Sequence, residues 1–471
     1  MSDAPSGPPP AALAPTAAAP APAPPADPMD MLKSKSYVQL LVLAALIGIP
    51  VSAVAYFYLA LVSKAQTWAY TTLPKELGFA GTPAWWPVPL LVVAGLVVAA
   101  SITYLPGESG HEPAEGFQAG GAPNPVDLFG IVLASLTTLI LGVVLGPEAP
   151  LIAIGGGLGV LAVKLAAKDA PPTAATVMAA AGSFAAISTL LGSPILGAFL
   201  LMEASGLGGP LLGLVLVPGL LAAGVGTLIF IGLDSLTGLG TFSLAIPGLP
   251  TFSHPTGAMV AWALAFGLVA ALLGGAIRLG ALAAMAVVQR NRMVVTPVAG
   301  LVVAGCAIGF AELTHKSAQE VLYSGQSALP GLVLHASTWT VGALVALVVA
   351  KSVAYSASLS GFRGGPVFPS MFIGGALGVA ASHLPGLVLV PAVAMGIGAM
   401  CTVMLKLPMT STLLAVLLFA SDGLSVTPLV IVAVVVAYVA SARLPQTPAD
   451  LRTRRASGAP AAASAPATGP A

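Results

Sequence analysis

The stretch that decides the fold is Gly146–Gly159, which reads G-P-E-A-P-L-I-A-I-G-G-G-L-G. Its one charged residue is Glu148, and the nearest charges along the chain are Asp127 and Lys164. A carboxylate inside a membrane-spanning stretch is costly and usually functional. Proline in the first turn of a helix forfeits no hydrogen bond, so G-P-E-A-P predicts a helix that begins beside Glu148.

The composition places the chain in a membrane. Of 471 residues, 57% are hydrophobic and only 7% are charged, with a mean hydropathy of +0.98; a soluble domain has roughly 25% charged residues. Apolar runs near the length of a membrane span predict an all-α polytopic membrane protein. The candidate spans are Leu40–Val62, Val88–Tyr104, Leu128–Leu145, Leu211–Leu233, Ala258–Ile277, Thr338–Ala350 and Val426–Ala442.

The two ends of the chain differ from this span region. Residues 1–36 are rich in Ala and Pro and predict a disordered tail, and residues 444–471 are first basic and then low in complexity. The start of the chain has neither a basic segment nor an apolar core, so the sequence does not predict a signal peptide. Basic residues precede the first span and follow the last, so both ends are predicted to be cytoplasmic in a multi-pass protein of the cell membrane.

Several function classes are excluded by what the sequence lacks. A net charge of +1 gives no electrostatic footprint for nucleic acid. Cys306 and Cys401 lie in apolar segments without metal-ligand spacing, and the Pro that follows His111-Glu112 breaks any zinc-protease motif. Neither a Walker A motif nor a G-x-S-x-G elbow occurs. We therefore predict that the protein is not an enzyme and uses no metal or cofactor.

A second copy of the opening motif lies 219 residues further on (365 minus 146). Gly365–Gly378 reads G-P-V-F-P-S-M-F-I-G-G-A-L-G. The match predicts two repeat halves, at about 37–235 and 256–443, within one span region at 37–443. Interrupted apolar segments in repeated halves are typical of transporters, whose helix starts meet at a polar site. Two such starts facing each other, within about 10 Å, would bind an anion through their free N–H groups.

The two motifs together resemble the CLC family of chloride channels and proton/chloride exchangers. The family's G-[KR]-E-G-P motif, followed by I-G-G, resembles Gly146–Pro150 with Ile154–Gly156, and its G-x-F-x-P motif resembles Gly365–Pro369. The resemblance covers about 37–443. It implies the CLC inverted repeat of broken and tilted helices, a homodimer with one pore per subunit, and chloride as the transported ion. It also implies that Glu148 is the gate: ionised, it occupies an anion site, and protonated, it leaves that site.

The same resemblance assigns the anion-binding residues. Gly146 and Ala149 from the first motif, and Gly365, Val367 and Phe368 from the second, are expected to line one site. Pro366 removes an N–H that the family offers to the ion. The family's serine ligand falls in E-S-G-H-E-P (108–113), where either Ser109 or Gly110 takes the ligand position, depending on the alignment.

Proton coupling is the point at which this chain departs from the family's exchangers. Aligned on Pro194, Glu203 matches the first glutamate of the family's pair, while Ala204 replaces the second, which passes protons. Glu203 is a possible proton-path residue, or it pairs with a basic residue of a neighbouring helix or at the dimer interface. The family's pore tyrosine is missing; Tyr438, inside the last span, is a weak substitute.

Three functions therefore remain open from the sequence. The first is passive or loosely proton-coupled chloride transport, which Ala204 and the missing tyrosine favour. The second is stoichiometric proton/chloride exchange, which is compatible with Glu148. The third, from another class, is a membrane scaffold that transports nothing.

Overall fold

The computed structural model describes residues 33–118, 123–166, 172–206, 210–239, 246, 248–252, 254–419, 423–448 and 450. Most of the two predicted tails lies outside these residues. The helices are α1 Lys35–Thr67, α2 Pro87–Tyr104, α3 Leu128–Ile140, α4 Glu148–Ala166, α5 Pro172–Leu191, α6 Pro194–Ser205, α7 Pro210–Thr237, α8 Gly257–Val288, α9 Arg292–Thr314, α10 Ala328–Leu334, α11 Val341–Gly361, α12 Val367–Ala381, α13 Leu389–Leu405, α14 Pro408–Leu417 and α15 Gly423–Arg443. After Thr67, α1 continues through a π turn into one more helical turn, Leu73–Glu76.

Helix starts follow local rules that the sequence makes visible. Proline is the first residue of α2, α5, α6, α7 and α14, where its missing N–H would have had no partner. Elsewhere, a hydroxyl side chain caps the first turn. Ser34 accepts a hydrogen bond from the backbone N–H of Tyr37 at 3.2 Å, and Thr340 accepts one from Ala343 at 3.2 Å.

The all-α membrane architecture is confirmed. Within the described residues, nine helices are long and apolar enough to cross a membrane. All seven predicted spans have other bounds in the structure; Ala258–Ile277, for example, lies within a helix that continues to Val288. The span predicted as Leu128–Leu145 ends as a helix at Ile140, and the one predicted to stop at Ala350 continues to Gly361. Lys351, the charged residue directly after Ala350, lies inside this helix with its side chain fully buried.

The same set of helix pairs occurs twice. Helix α1 packs on α5 and α7, and α8 packs on α13 and α15. The neighbours α4 and α5 correspond in the same way to α12 and α13, and the pair α2 and α3 corresponds to α9 and α11. Helices α6 and α14, which begin at Pro194 and Pro408, contact each other across the two halves. Two copies of one helical arrangement thus surround a shared centre.

Glycines of the repeated motif let these helix pairs approach closely. A Cβ added to Gly155 of α4 would lie 2.8 Å from the carbonyl carbon of Gly182 in α5. A Cβ added to Gly374 of α12 would lie 2.7 Å from the carbonyl carbon of Gly396 in α13. Small residues at helix contacts are the usual device for close packing in membranes. The G-G-x-L-G part of each motif therefore serves packing, which leaves the leading G-P part for the site.

Candidate functional site

The site forms where the backbone leaves helical structure in each half. Residues 141–147 separate α3 from α4, and residues 362–366 separate α11 from α12. These two stretches meet. The N–H of Gly146 donates to the carbonyl of Gly365 at 2.8 Å, and the N–H of Gly365 donates to the carbonyl of Gly146 at 2.6 Å. The paired hydrogen bonds bring the starts of α4 and α12 together at the centre of the molecule.

Glu148 lies between these two helix starts with no exposed surface. Its Oε1 accepts a hydrogen bond from the backbone N–H of Phe368 at 2.8 Å, which crosses from one half to the other. The backbone N–H groups of Val367 and of Glu148 itself also act on the carboxylate. Among the described residues, Oε2 has no hydrogen-bond partner. A negative group is thus held in a buried place by backbone donors and the positive end of α12.

Glycine is required on both sides of this carboxylate. A Cβ on Gly365 would lie 2.7 Å from Cδ of Glu148, and a Cβ on Gly146 would lie 2.6 Å from the same atom. Real Cβ atoms do not approach that closely, so any side chain at either position must displace the carboxylate or the backbone. The repeated Gly-Pro pairs are therefore fitted around one negatively charged group.

A cavity of about 480 Å³ opens beside the start of α4. It is lined by Gly107–His111, Pro113, Gly116–Gln118, Pro123, Asp127, Ile131, Ser135, Ala149, Pro150, Ile152, Ala153, Arg363, Gly364 and Pro366. The candidate ligands Ser109, Gly110 and Ala149 all lie on its wall. Ser109 is only 1% exposed, and its hydroxyl donates to Oγ of Ser101 at 3.3 Å.

The loop that carries Ser109 has an unusual backbone. Glu108 (φ 49°) and Ser109 (φ 57°) both lie in the left-handed region, between Gly107 (φ 75°) and Gly110 (φ 93°). Non-glycine residues enter this region rarely, and such strain persists only when the surroundings fix it. This conformation brings both candidates for the family's serine-ligand position, Ser109 and Gly110, to the cavity.

Arg363 is a cavity residue that the sequence reasoning missed. Its side chain is nearly buried, and both Nε and Nη2 donate to the carbonyl of Glu108 at 3.3 Å. Nη2 also faces Oε1 of Glu112 at 3.7 Å, while Arg292 contacts that same oxygen at 2.7 Å. Burial lowers the pKa of Arg363 to about 10, and the Glu112 carboxylate opposes that shift, so the guanidinium keeps its charge at neutral pH. The sequence signal that could have identified Arg363 is its position as a charged residue two places before the second Gly-Pro pair, Gly365-Pro366.

Tyr355 supports the start of α12 from behind. Its hydroxyl donates to the carbonyl of Pro366 at 3.0 Å, and the hydroxyl of Ser370 donates to the same carbonyl at 2.6 Å. Tyr355 is fully buried and close enough to Glu148 to interact with it electrostatically. Tyr438, the weak substitute for the family's pore tyrosine, is 42% exposed. It therefore does not take Tyr355's position against the first turn of α12.

Lys351, one helical turn before Tyr355, is a second buried cation. Its Nζ donates to the backbone carbonyls of Glu320, Val321 and Leu322 at 3.0, 3.1 and 3.0 Å. It also lies 4.3 Å from the ring centroid of Phe372. These contacts tie α11 to the segment between α9 and α10. The sequence signal for Lys351 was its position as a single charged residue within an apolar run.

Glu203 contacts a helix start. Its Oε1 accepts from the N–H of Met409 at 2.9 Å, and its Oε2 accepts from the N–H and the hydroxyl of Thr410 at 2.8 and 2.7 Å. The carboxylate thus caps α14, which belongs to the other half. Within this subunit the charge that Glu203 meets is the partial charge of a helix terminus, and the alternative of a partner at the dimer interface stays a prediction. Ala204 follows it in α6.

In the part of the chain that the structure describes, no three His, Cys, Asp or Glu side chains lie close enough together to hold a metal ion. The polar groups around Glu148 and the cavity include backbone N–H groups, hydroxyls, the guanidinium of Arg363, and the carboxylates of Glu148, Glu108 and Asp127. Such a set can bind a small anion and can protonate or release a carboxylate.

Comparison with known proteins identifies relatives across most of the chain. The family model described as "Voltage gated chloride channel" matches residues 115–442. The "Putative ion-transport protein YfeO" of Salmonella paratyphi A is 30% identical over 346 residues, covering 71% of this chain and 78% of the relative. The protein of the same name from Escherichia fergusonii is 29% identical over 356 residues, covering 73% and 79%.

Solved structures show the same fold at low sequence identity. A slow cyanobacterial Cl⁻/H⁺ antiporter aligns with a TM-score of 0.68 and 19% identity, over 89% of this chain and 97% of that one. A CLC-type fluoride/proton antiporter aligns with a TM-score of 0.61 and 20% identity, over 86% and 95%. The predicted CLC-type inverted repeat is therefore confirmed as the fold. Together with the family match over 115–442, this shows that the chain belongs to the CLC family of voltage gated chloride channels.

Proposed function

We propose that this protein moves chloride, or a similar small anion, across the cell membrane through a pore that Glu148 closes. The observation that carries the proposal is the buried carboxylate held by the N–H of Phe368 at 2.8 Å. A carboxylate in such a place resembles a bound anion in charge and in the donors it uses. When protonated it loses that likeness, and an anion can replace it. Membership of the CLC family supports the same function.

The anion site is formed by residues of both halves of the chain. Val367 and Phe368 supply N–H groups, and Gly146 and Gly365 leave room for the ion. Ala149, Ser109 and Gly110 border the cavity, which is the next stop along the path. With both chain ends in the cytoplasm, α1 crosses outward and α2 returns. The loop that carries Ser109 then lies on the cytoplasmic side. As in the family, we expect a homodimer with one pore per subunit.

Within this function, we favour passive or loosely proton-coupled transport. Ala204 has no titratable group, and both carboxylate oxygens of Glu203 are used in capping α14. Neither residue is thus free to pass protons toward Glu148. The second candidate is stoichiometric proton/chloride exchange, which is favoured by the presence of Glu148 and by the solved neighbours described as antiporters.

Chloride efflux from liposomes containing the purified protein tests the proposal. The wild type should release chloride faster as the pH falls, because protonation removes the carboxylate from the site. Glu148→Gln should remain conductive and lose this pH dependence. Glu76→Gln, which makes the same change at an exposed position, should behave as the wild type. Absence of chloride flux in the folded wild type would instead support the scaffold. Proton movement driven by a chloride gradient, in a fixed ratio to the chloride moved, would establish the exchanger.

A further inference from the structure

The charged groups of the cavity are separated by depth. Glu108 and His111 are exposed at its mouth, and Asp127 is partly exposed there. At the closed end, Arg363 is 4% exposed and Ser109 is 1% exposed. Charges at the mouth are screened by water and salt, whereas a charge at the closed end acts through a poorly polarisable medium. The closed end is therefore electropositive, although acidic side chains outnumber basic ones along the whole wall.

The guanidinium of Arg363 is only weakly engaged by protein. Its contacts with the carbonyl of Glu108 are 3.3 Å long, and Nη1 reaches the carbonyl of Phe362 at 3.4 Å. These lengths exceed the usual range for a charge-assisted N–H···O bond, roughly 2.7–2.9 Å. A guanidinium has five N–H donors, and among the described residues three of them have an acceptor within hydrogen-bond distance here. The guanidinium of Arg363 therefore has N–H groups left with which it can bind an anion.

The nearby carboxylates offset this charge only in part, because Glu112 is shared with Arg292. Arg292 contacts Oε1 of Glu112 at 2.7 Å, and Gln289 donates to Oε2 of Glu112 at 2.7 Å. The contact of Arg363 with Glu112 is a full ångström longer, at 3.7 Å. Glu112 is thus committed to Arg292, and the carboxylate of Glu108 is in water. One buried cation is left facing the cavity.

We propose that the closed end of this cavity is an anion-binding site in which Arg363 is a direct ligand, beside Ser109 and next to Gly364 and Pro366. The occupant is a small monovalent anion such as chloride, on its way to or from the place that Glu148 holds. The proposal rests on the transport function proposed above and deepens it. Pro366 has no backbone N–H and so removes one donor from the start of α12, and the positive charge of Arg363 offsets the loss of that donor.

A positioning role for Arg363 is the competing account. The guanidinium holds the carbonyl of Glu108, and so fixes the left-handed loop that carries Ser109. That role depends on the shape and the donors of arginine, whereas an anion ligand depends mainly on its positive charge. Arg363→Lys keeps the charge but loses the planar fork, and Arg363→Gln keeps a donor but loses the charge. The two variants separate the accounts.

The test is isothermal titration of chloride into the detergent-solubilised protein at neutral pH, where Glu148 itself fills the other site. Arg363→Gln should weaken chloride binding by about tenfold or more, the factor that corresponds to about 1.4 kcal/mol. Arg363→Lys should retain most of the affinity. Arg290→Gln makes the same change at an exposed arginine outside the cavity wall, and is the matched control with an affinity near that of the wild type. In liposomes, Arg363→Gln should raise the chloride concentration for half-maximal flux and leave the maximal flux largely unchanged.

Each outcome decides one question. Equal chloride affinity in the wild type and Arg363→Gln, with flux intact, overturns the ligand assignment and leaves the transport function standing. Equal loss of affinity in Arg363→Gln and Arg363→Lys, in variants that unfold at the wild-type temperature, also overturns it and makes Arg363 a positioning residue. A folded wild type that neither binds nor transports chloride removes the transport function itself.

Discussion

Gly365→Ala should open the pore by expelling the carboxylate. The new Cβ would lie 2.7 Å from Cδ and 2.9 Å from Cβ of Glu148, and nearer still to Oε2. The backbone cannot easily withdraw, because Gly365 is paired with Gly146 through hydrogen bonds of 2.6 and 2.8 Å. The backbone conformation of Gly365 is not left-handed, so alanine adds a steric contact and no φ strain. The side chain of Glu148 must therefore give way.

The size of the effect follows from the cost of overpacking. Inserting a methyl group into a closely packed place costs about 1–3 kcal/mol. Most of that cost falls on the state in which the carboxylate occupies the site, since the carboxylate contacts vanish when it leaves. At about 1.4 kcal/mol per factor of ten, the balance between closed and open shifts roughly 5-fold to 150-fold toward open.

The assay is chloride efflux from liposomes at neutral and acidic pH. Gly365→Ala should raise the flux at neutral pH, where the wild type is mostly closed, and should change it little in acid. Gly213→Ala is the matched control, because a Cβ at that helical position meets no atom within 4 Å. Flux that stays at or below the wild-type value at neutral pH would refute the reasoning, since the methyl group would then have blocked the anion rather than displaced its competitor.

Three further perturbations test other parts of the structure. Glu148→Gln should abolish the rise of chloride flux at low pH while flux persists, measured beside Glu76→Gln; an unchanged pH profile contradicts the gate. Glu203→Ala should lower the unfolding temperature, because α14 loses a cap of three hydrogen bonds worth about 1–3 kcal/mol together; a loss of proton coupling at unchanged stability would instead make Glu203 a proton-path residue. Lys351→Met leaves three backbone carbonyls without their donor and should destabilise the protein by several kcal/mol. Lys316→Met, at a half-buried lysine over Trp339, is its control, and an equal effect of the two would show that the buried contacts of Lys351 contribute nothing.

The repeat made the centre of the fold predictable from the sequence. Two copies of one motif, each with proline in a first turn, predict two helix starts, and symmetry of the halves predicts that they meet. Only the first copy of the motif carries a carboxylate, and this indicates that Glu148 is the side chain placed between the two helix starts. Gly146, Glu148, Gly365 and Phe368 lie together in the structure as that reasoning expects. Their roles in anion binding remain predictions.

Contacts between distant segments could not be predicted in the same way. Arg363 meets the carbonyl of Glu108 across 255 residues, and Glu203 meets Met409 across 206. No periodicity or local spacing encodes such pairs. Local spacing also does not distinguish a lysine that ends a span from one that is buried and bonded to carbonyls, and the predicted span stopped at Ala350, one residue before Lys351. Long-range packing decided each of these cases.

The measurement that most directly tests whether the carboxylate of Glu148 stands in the place of a permeating anion is anomalous diffraction from crystals of Glu148→Ala grown in bromide. Bromide scatters anomalously and resembles chloride in charge and size. A bromide peak should appear within hydrogen-bond distance of the N–H of Phe368, where Oε1 lies in the wild type. A well-ordered crystal with bromide elsewhere and none at that N–H would contradict the proposal that Glu148 gates an anion site.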